Sequence, residues 1–308
     1  MGVDAGADRV RILWNPASGR GRGARAFPRI QAAFAAYGLT DTRSTRSAGD
    51  EERLVHEALD DGITTLVVCG GDGTWSKCAV PLARAASPAR MAFVAAGTGN
   101  DFAKNLRAPA LDPEAIARMV AEGGVERRVD MGRVDDHWFL NVAGFGFDVA
   151  VLLATKRIPL LRGSSVYLAA AVKELFGFDG VDVAVSGVPS LMPTQMTRRL
   201  MLVFSNGKEF GGAFKIAPGA KVDDGALDAL IFGNAGAFAR VPLLAGAIGG
   251  THLTHPLVAH HAGGRFALKF RERSFLEADG ELWQTATREA EVVCMPSVLR
   301  VLDTAAQT

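Results

Sequence analysis

The sequence predicts a two-domain protein, an α/β domain followed by a β-rich one, and three observations carry that prediction. Short apolar runs alternate with helical patterns up to about residue 130. Beyond it, strand-like runs separated by Gly, Pro and Asp clusters dominate. Three glycine-rich loops each follow a strand of the first part. Strand–helix alternation with near-continuous apolar strands implies a parallel sheet with helices on both faces. Serial strands with turn signals imply a mainly antiparallel β-sandwich. The first domain is expected over residues 1–132 and the second over 133–295, with residues 296–308 packing back onto the first. The active site is expected in the cleft between the two.

In chain order, Val10–Trp14, Thr65–Cys69 and Met91–Ala95 are apolar runs of strand length. Ala24–Tyr37 sets Phe27, Ile30 and Phe34 at helical spacing, and Glu51–Leu59 and Trp75–Ala86 also read as helices. Pro113 suits a first helical turn and opens a helix through Val120. The second part reads as strands at Trp138–Ala143, Val181–Ser186, Arg199–Ser205, Leu227–Phe232, Phe266–Phe270, Phe275–Ala278 and Glu291–Met295. One helical stretch, Ser165–Phe176, interrupts them, and Leu299–Leu302 is a last apolar run with no assigned partner.

Composition excludes several classes. With 308 residues, 48% hydrophobic and 22% charged content and a net charge of +1, the chain reads as a globular protein without the basic excess of a nucleic-acid coat. Three cysteines, an odd number without metal-type spacing, argue against a disulfide scaffold and for a reducing compartment. No apolar run approaches the ~20 residues of a membrane helix, and the N-terminus lacks the pattern of a secretory signal. The expectation is a cytoplasmic protein that meets any membrane from the water side. His252, His255, His260 and His261 lack the partners of a zinc site.

The glycine loops are Asn15-Pro16-Ala17-Ser18-Gly19, Gly70-Gly71-Asp72-Gly73-Thr74 and Gly97-Thr98-Gly99-Asn100-Asp101-Phe102. Ligands of open parallel sheets bind beyond the carboxyl ends of the strands, where such loops lie. Glycine lets backbone N–H groups close on an anion, and a following helix N-terminus favours negative charge. One Gly-Asp-Gly is ordinary turn chemistry, but three such loops argue for a nucleotide. The Walker and protein-kinase signatures are absent.

These motifs resemble the catalytic domain of diacylglycerol and sphingosine kinases. The resemblance continues through Val129-Asp130-Met131-Gly132 and Phe139-Leu140-Asn141-Val142-Ala143-Gly144-Phe145-Gly146. It reaches Asn206-Gly207-x-x-Phe210-Gly211-Gly212, Ile216-Ala217-Pro218, Asp223-Asp224-Gly225-x-Leu227-Asp228 and Asp279-Gly280-Glu281. It runs from about Ile12 to Leu302 and is nearest to bacterial lipid kinases without regulatory domains. Trp75-Ser76-Lys77 departs from it, because the family has an aliphatic residue, Asn and Glu there.

The resemblance implies ATP, held by Asn15, Pro16, Ala17, Ser18, Gly19, Thr45, Gly70, Gly71, Asp72, Gly73, Thr74, Thr98, Asn100 and Asp101. It implies Mg²⁺ acting through Asp72, and a structural Mg²⁺ held by Asp224 and the carbonyls of Lys221 and Ala226. It makes Glu281, with Asp279 as neighbour, the acceptor of a lipid hydroxyl's proton, and Asp130 with Lys173 a supporting pair. The substrates implied are ATP and an amphipathic lipid at a membrane surface, foremost diacylglycerol, with a sphingoid base or ceramide as alternatives. No nucleic acid is involved, and a homodimer stays open. The basic cluster Arg9, Arg11, Arg20, Arg22, Arg25 and Arg29 is expected to face solvent, phosphate or an anionic bilayer. NAD kinase shares Gly-Gly-Asp-Gly-Thr but not the second-domain motifs. Trp75-Ser76-Lys77 keeps open a catalytically silent nucleotide- or lipid-binding protein.

Overall fold

The computed structural model describes residues 8–155, 170, 173–192 and 195–304. The chain divides into two units, Met1–Asp130 with Pro296–Thr308, and Met131–Met295.

In the first unit β1 (Val10–Trp14), β2 (Thr42–Ser44), β3 (Thr65–Gly70) and β4 (Arg90–Ala95) are parallel, in the order β2-β1-β3-β4. The C-terminal end of β15 (Glu289–Asp303) joins β4 in parallel, with Val301 opposite Met91. Every residue of β3 is buried, as a central strand covered on both faces requires. One face packs Ile12, Val67, Cys69, Ala92 and Val94 against Ile30 and Phe34 of α1 (Ser18–Ala35) and Ile116 of α4 (Pro113–Ala121). On the other, α3 (Asp72–Arg84) sets Trp75 edge-on to Phe93, ring centroids 5.3 Å apart, with α2 (Asp50–Asp60) beside it.

The helix ends follow local chemistry. Asp112 accepts from the N–H groups of Glu114 and Ala115 at 3.2 and 3.3 Å and so caps α4, with Pro113 in its first turn. At the start of α1, Gly19, Arg20 and Gly21 all have positive φ, so regular helix begins only after them. Arg11 corrects an expectation: it is buried, and its guanidinium bridges Asp41 and Asp61 at 2.8 Å each. Burying a guanidinium is tolerated only when its donors are paired, so Arg11 is a structural residue of this unit. Arg29 pairs with Glu114 of α4 and is exposed, as expected.

The second unit is antiparallel throughout. Its strands are β6 (His137–Phe139), β7 (Val142–Gly146), β8 (Val181–Ser186), β9 (Thr197–Ser205), β10 (Leu227–Gly233), β11 (Val258–Gly263), β12 (Arg265–Phe270), β13 (Phe275–Ala278) and β14 (Glu281–Gln284). The ends of β5 (Val125–Val134) and β15 complete it. Period-two alternation builds two cores. Leu202 and Phe204 of β9 and Ala229 and Ile231 of β10 enter one, with Phe145, Phe266 and Val292. Met201, Val203, Leu230 and Phe232 enter the other, closed by Leu243 and Ala247 of α6 (Ala237–Gly249).

The strand-dominated reading of this unit omitted two helices, α5 (Phe147–Thr155) and α6. Most of the expected Ser165–Phe176 helix lies outside the described residues, though 173–177 are helical. The expected strand Trp138–Ala143 is two strands, broken at Leu140 and Asn141. Among the described residues no helix is long and apolar enough to cross a membrane.

Candidate active site

In the first unit the three glycine loops meet. A Cβ on Gly71 would stand 2.8 Å from the Gly97 Cα and 3.6 Å from Ser18 Oγ. One on Gly97 would stand 2.5 Å from the Gly71 Cα and 2.7 Å from Asn100 Oδ1. No side chain fits, so glycine here is a condition of the loops touching. The loops are also stitched by hydrogen bonds. Asn15 Oδ1 accepts from Ala17 N–H at 3.0 Å, and Asn15 Nδ2 donates to Thr74 Oγ1 at 3.0 Å. Pro16 accepts at its carbonyl from Ala24 N–H at 3.1 Å, and Gly70 carbonyl oxygen receives both Ala96 and Gly97 N–H. Asn100, at φ 53°, closes its own loop by accepting from Gly97 N–H at 3.0 Å.

Two carboxylates flank this meeting point. Asp72 Oδ1 accepts from Phe102 N–H at 3.0 Å, and Asp72 Oδ2 and Asp101 Oδ2 would each lie 3.1 Å from a Cβ on Gly99. Asp101 is buried and pairs with Lys104 at 2.6 Å. Gly73 and Thr98 are exposed at the loop surfaces. Thr45, read from sequence as equally a loop residue, is buried, and its N–H donates to the Trp14 carbonyl at 3.0 Å. It therefore lies at the end of β1 next to Asn15. Backbone donors, small hydroxyls and glycines at strand ends suit a polyphosphate, and the two carboxylates suit a hard cation carried with it.

Glu51 was missed. Its carboxylate is buried on α2, and Oε1 stands 3.3 Å from Asn15 Nδ2. No motif marks it, since it belongs to an ordinary acidic first turn. The departure at Trp75-Ser76-Lys77 resolves largely into packing. Trp75 is fully buried and donates Nε1–H to the Val68 carbonyl at 3.1 Å, and Ser76 is buried too.

In the second unit the motifs converge on one turn. Asp279, at φ 48°, accepts from three consecutive backbone N–H groups, Leu140 at 2.6 Å, Asn141 at 3.0 Å and Val142 at 3.0 Å. This is why β6 and β7 are separate: the break turns its amides toward a carboxylate. Asp279 N–H returns a bond to the Val142 carbonyl at 3.0 Å. Asn206 Nδ2 donates to the Leu140 carbonyl at 2.8 Å, and Asn141 Nδ2 to the Glu209 carbonyl at 2.9 Å. The Asn206 motif is thereby fastened to the same break. Glu281, which opens β14, is exposed.

Beneath the turn lie two carboxyls that sequence reading missed, Asp148 and Glu277. Both are buried, and burial pushes both up, Asp148 to about 7 and Glu277 well above the carboxylate range. For Glu277 the charges of Asp148 and Asp279 add to that shift.

The remaining site residues are divided between the two units. Asp130 is buried in the first unit and accepts from Ser297 N–H at 2.7 Å, whereas Lys173 is an exposed residue of the second. Asp224 is exposed and accepts from Ala226 N–H at 3.2 Å, an Asx turn with Gly225 at φ 76°. Lys221 is exposed just before this turn. Among the described residues no group of three His, Cys, Asp or Glu side chains could hold a metal. His252 is buried against the Ile216 carbonyl at 2.9 Å, and His260 pairs with Asp228 at 2.5 Å.

Residues 9–134 match the diacylglycerol kinase catalytic domain, and residues 141–303 match the YegS C-terminal NAD kinase beta sandwich-like domain. A probable lipid kinase YegS-like of Xanthomonas euvesicatoria is 32% identical over 271 residues, covering 85% of each chain. A protein of the same description from Pseudomonas aeruginosa is 35% identical over 190 residues, 61% of each. The crystal structure of a putative diacylglycerol kinase from Bacillus anthracis superposes with a TM-score of 0.78 at 20% identity and full coverage of both chains.

Proposed function

Because the chain belongs to the YegS-like lipid kinases, with their diacylglycerol kinase catalytic domain, we propose that it transfers the γ-phosphate of ATP to the hydroxyl of a membrane lipid, diacylglycerol first among them. The observation that carries the reading is the meeting of the three glycine loops, where Gly71 and Gly97 leave no room for a side chain. Phosphoryl transfer asks the protein mainly for positioning and charge neutralisation. Asn15 to Gly19, Gly70 to Thr74 and Thr98 present donors to the phosphates, with Thr45 at the nucleotide's edge. Asp72 and Asp101 would hold Mg²⁺, which when bound neutralises phosphate charge.

The lipid hydroxyl must give up its proton as it attacks. Glu281 is the acceptor in this reading. Asp279, occupied by three N–H donors, is the anchor that fixes the turn. Asp130 and Lys173 support the site, and Asp224 with Lys221 and Ala226 is the place for a structural cation. The protein works at the water face of a bilayer.

The test is transfer of labelled phosphate from ATP and Mg²⁺ to a panel of lipids in mixed micelles, with Glu281→Gln alongside. Labelling of one lipid, lost by roughly 10²-fold or more in the variant, is the expected result. ATP binding without transfer to any lipid sinks the proposal and leaves a silent binding protein.

A further inference from the structure

We propose that Asp148 and Glu277 share a proton and that this protonated pair, through the Glu277 bond to Gly280 N–H, positions the turn that carries Glu281. The inference rests on the reading of Glu281 as proton acceptor. Its geometry lies wholly within the second unit. Glu277 of β13 is the register partner of Gly144 on β7, and Asp148 lies directly over that glycine. A Cβ on Gly144 would stand 1.6 Å from Asp148 Oδ2, so the glycine is what admits the carboxyl beside the strand pair. Glu277 Oε2 accepts from Gly280 N–H at 2.9 Å, the middle residue of Asp279-Gly280-Glu281. Among the described residues, Glu277 Oε1 and both oxygens of Asp148 are buried without a hydrogen-bond partner.

Two ionised carboxylates cannot occupy such a place together. Among the described residues the groups that face Glu277 are Asp148, Asp279 and Gly280 N–H, so its charged neighbours there are both acidic. For Asp148 burial is the largest influence on its charged form, and among the described residues no basic side chain favours that form. Like charges in a dry pocket keep a proton between them, and that proton supplies the donor the orphan oxygens lack. The pair also fits the turn's wider wiring. Asp279 is held on one side by the Leu140–Val142 amides, and Gly280 on the other by Glu277. When the proton leaves, two charges repel beneath the turn and its grip on Gly280 changes. Asp148 and Glu277 are positioning residues and touch no reacting atom.

The experiment combines ¹³C-carboxyl NMR titration of the whole protein with the pH profile of lipid phosphorylation. Signals are assigned by their loss in Asp148→Asn and Glu277→Gln. Both carboxyls are expected to titrate above the ordinary carboxylate range. Wild-type transfer is expected to fall on the alkaline side, and Glu277→Gln, which keeps an acceptor for Gly280 N–H and adds a donor for Asp148, to move that limb upward by about one pH unit. Glu277→Leu, folded by the same NMR criterion, is expected to lose about tenfold more activity than Glu277→Gln. Ordinary titration of both signals, or an alkaline limb unmoved in Glu277→Gln, overturns the proposal. If Glu281→Gln keeps full activity, the assignment of Glu281 fails instead, and the NMR titration still decides whether the proton is shared.

Discussion

Asn15 Nδ2 donates to Thr74 Oγ1 at 3.0 Å, and this one bond ties the loop after β1 to the loop after β3. Asn15 also holds Ala17 N–H, so a single amide shapes one loop and registers it on another. Asn15→Ala should therefore weaken ATP binding by about tenfold, while the thermal midpoint falls by the few degrees that ~1 kcal/mol per lost bond implies. Titration calorimetry with ATP and a melting curve separate the two effects. Unchanged affinity would mean the loops do not depend on the tie.

Glycine is needed unequally across the second and third loops. Gly97→Ala drives a methyl into the Gly71 backbone and the Asn100 side chain and should cost several kcal/mol or leave the chain unfolded, because the Gly71 backbone cannot give way. Gly73→Ala meets no atom within 4 Å and should change stability by less than ~1 kcal/mol. Paired urea melts of the two variants check this ordering.

Asp279 and Glu281 stand two residues apart yet should fail differently. Asp279→Ala strands three amides at the β6–β7 break and should cost about 3 kcal/mol or more, with activity lost alongside. Glu281→Gln is exposed and should leave the unfolding midpoint where it is while transfer falls by roughly 10²-fold. Denaturation curves and lipid phosphorylation on the same preparations distinguish anchor from proton acceptor.

The buried carboxyls set the pH dependence of stability. Asp148 is raised to about 7 by burial, and Glu277 well above the carboxylate range by burial and by Asp148. In the unfolded chain both ionise near 4, so between about 4 and 7 the native state binds more protons than the unfolded state. Stability should decline as pH rises through that window, by roughly 2–4 kcal/mol, and level off for Asp148 above it. Asp148→Asn should flatten its share of the slope. Urea unfolding at pH 5 and pH 8 measures both, and a protein more stable at pH 8 would contradict the argument.

The nucleotide loops were legible because each is a contiguous string whose residue types answer a local need, as Gly71 and Gly97 do. The Asp279 turn was legible for the same reason. Its donors were not, because the amides of Leu140, Asn141 and Val142 belong to a run that reads as one strand. Asp148 and Glu277 carry no signature either, since each sits among apolar neighbours and only the β7–β13 pairing brings them together. Helix α6 escaped because its run is apolar nearly all round and contains Pro242, which blurs a 3.6-residue period. The three residues of β2 are polar and too short to alternate. Arg11 looked like one of a basic cluster, and only the burial of β1 between Asp41 and Asp61 shows it as a clamp.

The last strand of the parallel sheet has a consequence for how the molecule is made. Val301 pairs with Met91, and Asp303 Oδ1 receives the N–H groups of Arg107 and Ala108 at 2.9 and 2.7 Å. The strand that completes the first unit is thus synthesised after the entire second unit. On the ribosome the N-terminal sheet must wait with β4 uncovered until the sandwich has emerged, so the domain that starts first finishes last.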